Sequence, residues 1–561
     1  MNPADRIRMW EIRAKALDSD YASWQSHYRE LNAFLMPRAG LFLPTGRNDG
    51  ARKHNQIHDN TGVRAVRIGG AGMMSGASSP ARAWVRFLTN NPDANRRYSI
   101  TRWLDEVTEI VLQTLSKSNV YRVLHGMYEE LFAYGTAACL FTLDAENVIH
   151  LQPFTVGEYR LASDSKGNVN VCYRVFAKTV AEMVDEFGLD RVSQRVRDYH
   201  RNGELQQLVK VRHVIEPRRD RTPGATDNLS MPWASVYYEF DTGYETILHE
   251  SGFEEFPVLA PRWGLTAGDV YGHSPGMEAL GDIKQLQHQQ LRKAQGIDFQ
   301  TMPPMLAPTT MKGQESRWTP GGIVFYDGTM PNAIRSAFEV RLDLNHLLLD
   351  IQDVRERIRG AFFADLFLML AQTDKRMTAT EVAERHEEKL IQLGPVLERL
   401  HNELLAPLVK RTYRALRDAG ALPPPPPELE ALNLTLEFTS TLAQAQRAVG
   451  LSAIERGLAT AGAAAQFAPD IVDNIDPDGL WQEISSMLGI TPRISRDPRK
   501  RDDLRQAKIA AQQAQAQAAL AQQTSTTVKN VAAAAPGSSN NALSDVMSLF
   551  SGYEHPAAQA Y

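Results

Sequence analysis

Between two stretches of helical periodicity lies a segment that cannot be helix. Pro303, Pro304, Pro308, Pro320, Gly321 and Gly322 punctuate residues 301–340. Proline lacks the amide donor and clashes with the preceding turn, and glycine is the costliest residue to order. On the near side, Ser274-Pro275 opens a helix: serine caps the free N–H groups and proline fits the first turn. That helix runs to about Phe299 with a thin apolar stripe and four glutamines, Gln285, Gln287, Gln289 and Gln290. On the far side, Leu344, Leu347, Ile351, Val354, Ile358 and Phe362 recur at helical steps from Leu342. Inside the insert, Ile323–Tyr326 before Asp327-Gly328 predicts a strand and turn. A Gly- and Phe-containing break, Gly360 to Thr378, precedes a long helix over Thr380–Ala419. Its stripe is Leu390, Leu393, Leu397, Leu400, Leu404 and Leu408, and Pro395 and Pro407 within it predict a kink. Helix, insert, helix and kinked helix in that order describe a chain with a stem.

The flanks read as mixed structure. Trp24, Tyr28, Leu31 and Leu35 predict a helix over residues 1–35, ended by Pro37. Residues 59–80 are rich in Gly, Ala and Met, small enough to pack closely. Residues 100–136 read as one or two helices. The period then changes to two, and Val148–Phe154, Val169–Phe176, Leu208–Ile215, Ala234–Phe240 and Phe256–Trp263 read as strands, with Pro217–Pro232 an exposed loop. Pro423–Pro427 is a rigid spacer before a strand at Leu432–Thr439. Ala-rich helices follow to about Leu488, then a polar helix over 500–523 and a mobile tail. The fold class is α+β, mainly helical, and the length predicts three to four domains.

Charge and cysteine usage exclude several functions. The chain carries 61 basic and 66 acidic residues, a net charge of −5. A free-standing nucleic-acid binder usually has a basic excess, so any DNA contact here is local or weak. Two cysteines, Cys139 and Cys172, exclude a disulfide framework and every multi-cysteine zinc pattern. The first residues, Met1 to Lys15, are charged and lack an apolar signal core. No run approaches the ~18 apolar residues of a membrane span. These features predict a soluble protein made in a cytoplasm.

Enzyme motifs fail on chemistry. Gly272-His273-Ser274-Pro275-Gly276 matches the G-x-S-x-G elbow of serine hydrolases. The elbow needs a strand running directly into the serine, and here the Gly264–Asp269 loop intervenes. Proline after the nucleophile also removes the N–H that would form half the oxyanion hole. A capped helix start explains every residue of the string. Gly40 to Arg47 has the wrong spacing for a phosphate loop, and Gly69-Gly70-Ala71-Gly72 lacks the dinucleotide fingerprint, so no cofactor is expected. His54 and His58, beside Asp59, would share a metal only if helical, and scattered surface histidines are the commoner case. His386-Glu387-Glu388 is not a zinc motif, because Leu390 stands where the second histidine belongs. Glu254-Glu255 and Glu387-Glu388 read as solvated faces. Lys375 and Arg376, a basic pair beside a helix start, are candidates for phosphate contact as well as for plain surface.

Five strings in order resemble the portal, or head-to-tail connector, proteins of short-tailed bacteriophages. They are Trp24…Tyr28-Arg29-Glu30 with Leu35-Met36-Pro37; His58-Asp59-Asn60-Thr61-Gly62 with Ala71-Gly72-Met73-Met74, Ser79-Pro80 and Trp84; Tyr134-Gly135-Thr136-Ala137; Pro261-Arg262-Trp263 with Tyr271-Gly272-His273-Ser274-Pro275; and Met377-Thr378-Ala379-Thr380-Glu381-Val382. Asn60 departs from the family's usual serine.

The resemblance implies a portal fold with wing, stem, clip and crown regions and no catalysis. It implies a wing over 1–273, a stem helix over 274–300, a clip over 301–341 and a second stem helix over 342–360. A tunnel loop over 361–378, a kinked wing helix over 379–420, a linker and wing strand over 421–440, crown helices over 441–523 and a mobile tail over 524–561 complete it. Trp318, Phe325 and Tyr326 become clip candidates. Lys375 and Arg376 become DNA-channel candidates, and Gln285, Gln287, Gln289 and Gln290 subunit-interface candidates. The implied partners are copies of itself in a dodecameric ring, sliding double-stranded viral DNA, a terminase packaging motor, a tail adaptor, and major capsid and scaffolding proteins. The implied location is the portal vertex of the virion. The alternatives are a helical protein-binding adaptor without a DNA channel and, behind it, a serine hydrolase using Ser274.

Overall fold

In a computed structural model the described residues are 2–42, 53–91, 94–222, 224, 227–240, 246–309, 319–326, 334–337, 344–371, 391–429, 433–465, 467, 468, 470, 474–487 and 498–533. They divide into two units, Met1–Gly489 and Ile490–Tyr561. Helix α1, Pro3–Leu35, serves two cores. Ile7, Trp10 and Ala14 of its first half cover a sheet, while Tyr21, Tyr28, Leu31 and Leu35 enter the main core. The small-residue segment forms α2, Thr61–Ala77. A Cβ at Gly69 would lie 2.9 Å from the Phe132 ring, and one at Gly72 would strike Phe367, so glycine here lets two aromatic rings press on helix backbone. The stripe at 100–136 resolves into α3, Tyr98–Lys117, and α4, Val120–Tyr134.

The strands are β1, Val85–Thr89; β2, Ala138–Asp144; β3, Val148–Phe154; β4, Tyr159–Ser163; β5, Val169–Thr179; β6, Leu208–Pro217; β7, Trp233–Glu239; β8, Ile247–Phe253; and β9, Val258–Leu259. β4 to β8 make one antiparallel sheet in chain order. Its faces follow the two-residue period. Tyr173, Val214, Ala234, Val236 and Tyr238 meet α1. Val209, Val211 and Leu248 meet two helices absent from the sequence reading, α5, Val180–Phe187, and α6, Gln194–Arg201. A second sheet has the order β3-β2-β9. The strand expected over Phe256–Trp263 forms a ladder only at Val258 and Leu259, between Pro257 and Pro261, which supply no amide, and Arg262 adds an isolated bridge to Thr136.

The stem-like region begins with a single turn, α7, Pro275–Glu278, then α8, Leu280–Thr301. The insert holds β10, Met305–Pro308, parallel to β11, Ile323–Tyr326, and antiparallel to β12, Arg335–Ser336. Helix α9, Leu344–Ala361, follows. Where a break was expected from Gly360, the chain turns at Phe363, whose φ is +52°, and forms α10, Ala364–Ala371. Burial of Phe362, Leu366 and Phe367 in the main core overrides the local glycine signal. Residues 391–400 are helical, His401–Leu405 is a π turn, and α11, Ala406–Asp418, completes the long helix. The wide turn sits just before Pro407, where a missing amide and a ring would disrupt a regular α-helix. β13, Leu434–Phe438, pairs antiparallel with β1, and α12, Thr441–Ala464, and α13, Pro477–Met487, follow. The second unit contains α14, Pro498–Ala533. It continues past residue 523, where the mobile tail was expected to begin, and the Thr524 hydroxyl donates back to the Leu520 and Ala521 carbonyls. Residues 534–561 lie outside the described residues.

Candidate assembly arm and its root

Helices α8 and α9 run antiparallel. Arg357 Nη1 lies 2.9 Å from Asp282 Oδ1, and further along α8, Gln289 bonds Asp350, which is earlier in α9. Only one end of the pair is in the core: Leu280, Ile283 and Leu286 of α8, with Ile351, Val354 and Ile358 of α9. Beyond Gln287, α8 has no buried residue, and neither do residues 345–350 of α9. Leu291, Ile297, Leu348 and Leu349 are exposed there. The pair is therefore an arm with a buried root and an exposed shaft, and the insert connects its outer ends.

A polar node holds the root. Asp59 is 8% exposed and precedes α2. Its carboxylate accepts from the Thr61 amide at 2.8 Å and the Thr61 hydroxyl at 2.5 Å. It also accepts from Gln290 Nε2 at 3.1 Å and Arg355 Nη2 at 2.6 Å. Burial pulls this carboxyl's pKa up, but hydrogen bonds from Thr61 and Arg355 outweigh it and hold it below the usual carboxylate value. Buried Gln287 grips the same backbone from α8. Its Oε1 accepts from the amides of His58 at 2.6 Å and Asp59 at 2.8 Å, and its Nε2 donates to the Asp59 carbonyl at 2.9 Å. One loop thus binds both arm helices to α2.

A second joint fixes where α8 begins. Gly135, with φ +77°, ends α4 in the left-handed region, and a Cβ there would strike the Gly272 carbonyl. The Gly272 amide donates to Thr136 Oγ1 at 2.8 Å. Ser274 is 1% exposed; its hydroxyl accepts from the Met277 amide at 3.0 Å and donates to the Ala133 carbonyl at 3.0 Å. The G-x-S-x-G string is thus a capped helix start whose hydroxyl is engaged twice and shielded from solvent. Arg262, 3% exposed, joins the strand side to the π turn: its Nη2 lies 2.6 Å from Glu403 Oε1, and its amide donates to Glu403 Oε2 at 2.9 Å.

The structure distributes the sequence candidates as follows. Gln285 is exposed, Gln287 is buried in the node, Gln289 bonds Asp350 and Gln290 bonds Asp59. Phe325 and Tyr326 are half-buried in β11. Trp318, Lys375 and Arg376 lie outside the described residues. His54 and His58 are not on a helix, and among the described residues no metal-holding group of three His, Cys, Asp or Glu side chains occurs. Sequence reasoning missed the roles of Asp59, Arg355, Arg262 and Glu403. A helix with a thin stripe and many glutamines pointed toward the node, but no local period pairs Arg262 with Glu403, 141 positions away.

Residues 9–495 match the family profile described as bacteriophage head to tail connecting protein. The chain is similar to the probable portal protein of Bordetella phage BPP-1, at 48% identity over 96% of this chain and 97% of the relative. It is also similar to the portal protein of Salmonella phage epsilon15, at 40% identity over 90% of this chain and 91% of the relative. A solved structure described as the virion of a native gene transfer agent particle aligns over 74% of this chain and 90% of its own, with 12% identity and a TM-score of 0.33.

Proposed function

We propose, on the premise that this chain belongs to the bacteriophage head-to-tail connecting protein family, that it is the portal subunit of a phage virion. Such a subunit forms the ring at the capsid vertex through which viral DNA is packaged and ejected and to which the tail attaches. The observation that carries this reading is the 48% identity that spans 97% of a probable portal protein. The arm adds a physical argument. A shaft with exposed Leu291, Ile297, Leu348 and Leu349 leaves apolar surface uncovered in one subunit. Head-to-tail contacts in a closed ring cover the same patch in every copy.

In this reading α8 and α9 are the stem, the β10–β12 insert is the clip, with Phe325 and Tyr326 in it, and residues 1–273 with the long helix form the wing. The segment after α10, with Lys375 and Arg376, supplies tunnel contacts, and the helices after residue 440 form the crown. The ring is dodecameric. Its partners are sliding double-stranded DNA, a terminase motor, a tail adaptor, and capsid and scaffolding proteins. The subunit performs no catalysis, so the motor supplies the energy of packaging. A charge of −5 per subunit, repeated around the ring, disfavours tight phosphate binding and suits a conduit.

Negative-stain microscopy of the purified protein tests the reading. Rings with an axial hole are expected. A protein that stays monomeric or forms compact oligomers without a hole would overturn it.

A further inference from the structure

The arm's root is held by two kinds of contact with different tolerances. Ile283, Leu286, Ile351, Val354 and Ile358 are apolar, and such contacts are non-directional. They permit one helix to tilt a little against its support. The Asp59 node does not. Its hydrogen bonds come from Thr61 at the start of α2, from α8 and from α9, with lengths of 2.5 to 3.2 Å at the carboxylate. A hydrogen bond keeps its strength over only about 0.5 Å and a limited angle. Gln287 adds three bonds to the same backbone and is itself buried. The node therefore fixes the angle of the arm, while the apolar root supplies cohesion.

That angle matters for a closed ring. Rings of twelve and thirteen subunits differ by roughly 2° in the rotation between neighbours. Over the roughly 20 Å of helix from Gln287 to Thr301, such a rotation moves the tip by about 0.7 Å. The displacement falls on the exposed shaft, where neighbouring subunits meet, and a root loosened by about 0.5 Å over the roughly 4.5 Å between Gln287 and Gln290 would tilt by more than this 2°. We propose that Asp59, Gln287, Gln290 and Arg355 are positioning residues that set the arm angle and so select the ring's subunit number. The proposal rests on the portal reading above. The glutamines thus act on the ring from inside the subunit.

The test is native mass spectrometry of rings formed by the full chain, with circular dichroism and melting temperature as folding controls. Wild type is expected to give one subunit number. Arg355→Gln removes the cation from a side chain that is 38% exposed, and Asp59→Asn removes the charge but keeps an acceptor for Thr61. Each is expected to fold and to give two or more neighbouring subunit numbers, or to lose rings. Arg355→Lys, which restores the cation, is expected to recover the single number. If a node variant fails to fold, half-buried Gln290→Ala, which removes one bond, decides the question. Folded variants that keep the wild-type number, or a loss that Arg355→Lys does not repair, would overturn the node's role. Wild-type protein that forms no ring would overturn the portal reading itself.

Discussion

Glu130 on α4 makes the portal body's stability sensitive to pH. It is 8% exposed. Its Oε1 accepts from the Thr155 hydroxyl at 2.7 Å, and its Oε2 has no hydrogen-bond partner among the described residues. Burial pushes its carboxyl up to about 8; the Thr155 bond opposes this, and Glu158 and Glu129 add to it. Tyr21, Tyr134 and Tyr159 also face the group. The folded chain therefore holds this proton at neutral pH, whereas an unfolded glutamate releases it near its ordinary value of 4.5. Because the folded state binds more protons in that window, stability must fall as pH rises from about 4.5 to about 8. At about 1.4 kcal/mol per pKa unit, the full change is on the order of 5 kcal/mol, of which about 3 has been lost by pH 7. Glu130→Gln mimics the protonated carboxyl and can still accept from Thr155. Scanning fluorimetry from pH 4.5 to 9.5, with both proteins in the same assembly state, should show similar melting temperatures at the acid end. The variant should gain several degrees by pH 9, at roughly 1–2 °C per kcal/mol for a chain of this size. A difference that stays constant with pH, or a variant equally destabilised throughout, would refute the buried-proton argument. Glu158, also raised mainly by burial, titrates in both proteins and drops out of the comparison to first order.

The packing and the joints yield three further expectations. Gly72→Ala should destabilise by about 1–3 kcal/mol in chemical denaturation, because its methyl overlaps Phe367; Gly126→Ala, with nothing within 4 Å, should instead be neutral or slightly stabilising. Glu403→Gln should cost about 3–5 kcal/mol and lower the melting temperature sharply, since it leaves the 3% exposed Arg262 without its carboxylate. Ser274→Ala should lose about 1 kcal/mol of capping and leave ring formation unchanged on micrographs.

What could be read from the sequence divides along physical lines. Helices α1 and α9 were legible because their apolar residues recur at helical steps, and α8, whose stripe is thin, because Ser274-Pro275 marks the helix start ahead of it. Strands β3, β5, β6 and β7 were legible from the two-residue period. Elements whose stability comes from distant partners were not. Helix α10 hides behind Gly360 and reads as a break, yet Phe367 packing on the backbone of Gly72 makes it helical. β13 was visible as a strand, but its pairing with β1 joins positions such as Arg86 and Glu437, which no local pattern connects. Helix α14 outran its expected end because Thr524 satisfies its hydroxyl on the preceding turn, so a polar residue there did not stop it. The node was half legible: glutamines marked α8 as unusual and suggested contacts between subunits, whereas Gln287 and Gln290 bond Asp59 within one subunit.

Three of the strings that resemble the connector family hold joints, and this explains why they carry so little apparent chemistry. Tyr134-Gly135-Thr136 and Tyr271-Gly272-His273-Ser274 are far apart in the chain but interlock, because the Gly135 backbone leaves no room for a Cβ against Gly272 and Thr136 Oγ1 accepts the Gly272 amide. Asp59 and Thr61 of a third string form the node that grips both arm helices. Arg262, in the same string as Tyr271, ties the strand side to the π turn ahead of Pro407. At each place the residue type follows from geometry: glycine where two backbones touch, serine where a helix starts against a carbonyl, and aspartate where one side chain must accept from several elements at once. An enzyme concentrates such requirements around a reacting atom. Here they surround the base of a protruding helix pair, as expected if the chain's task is to hold a shape that neighbouring copies must match.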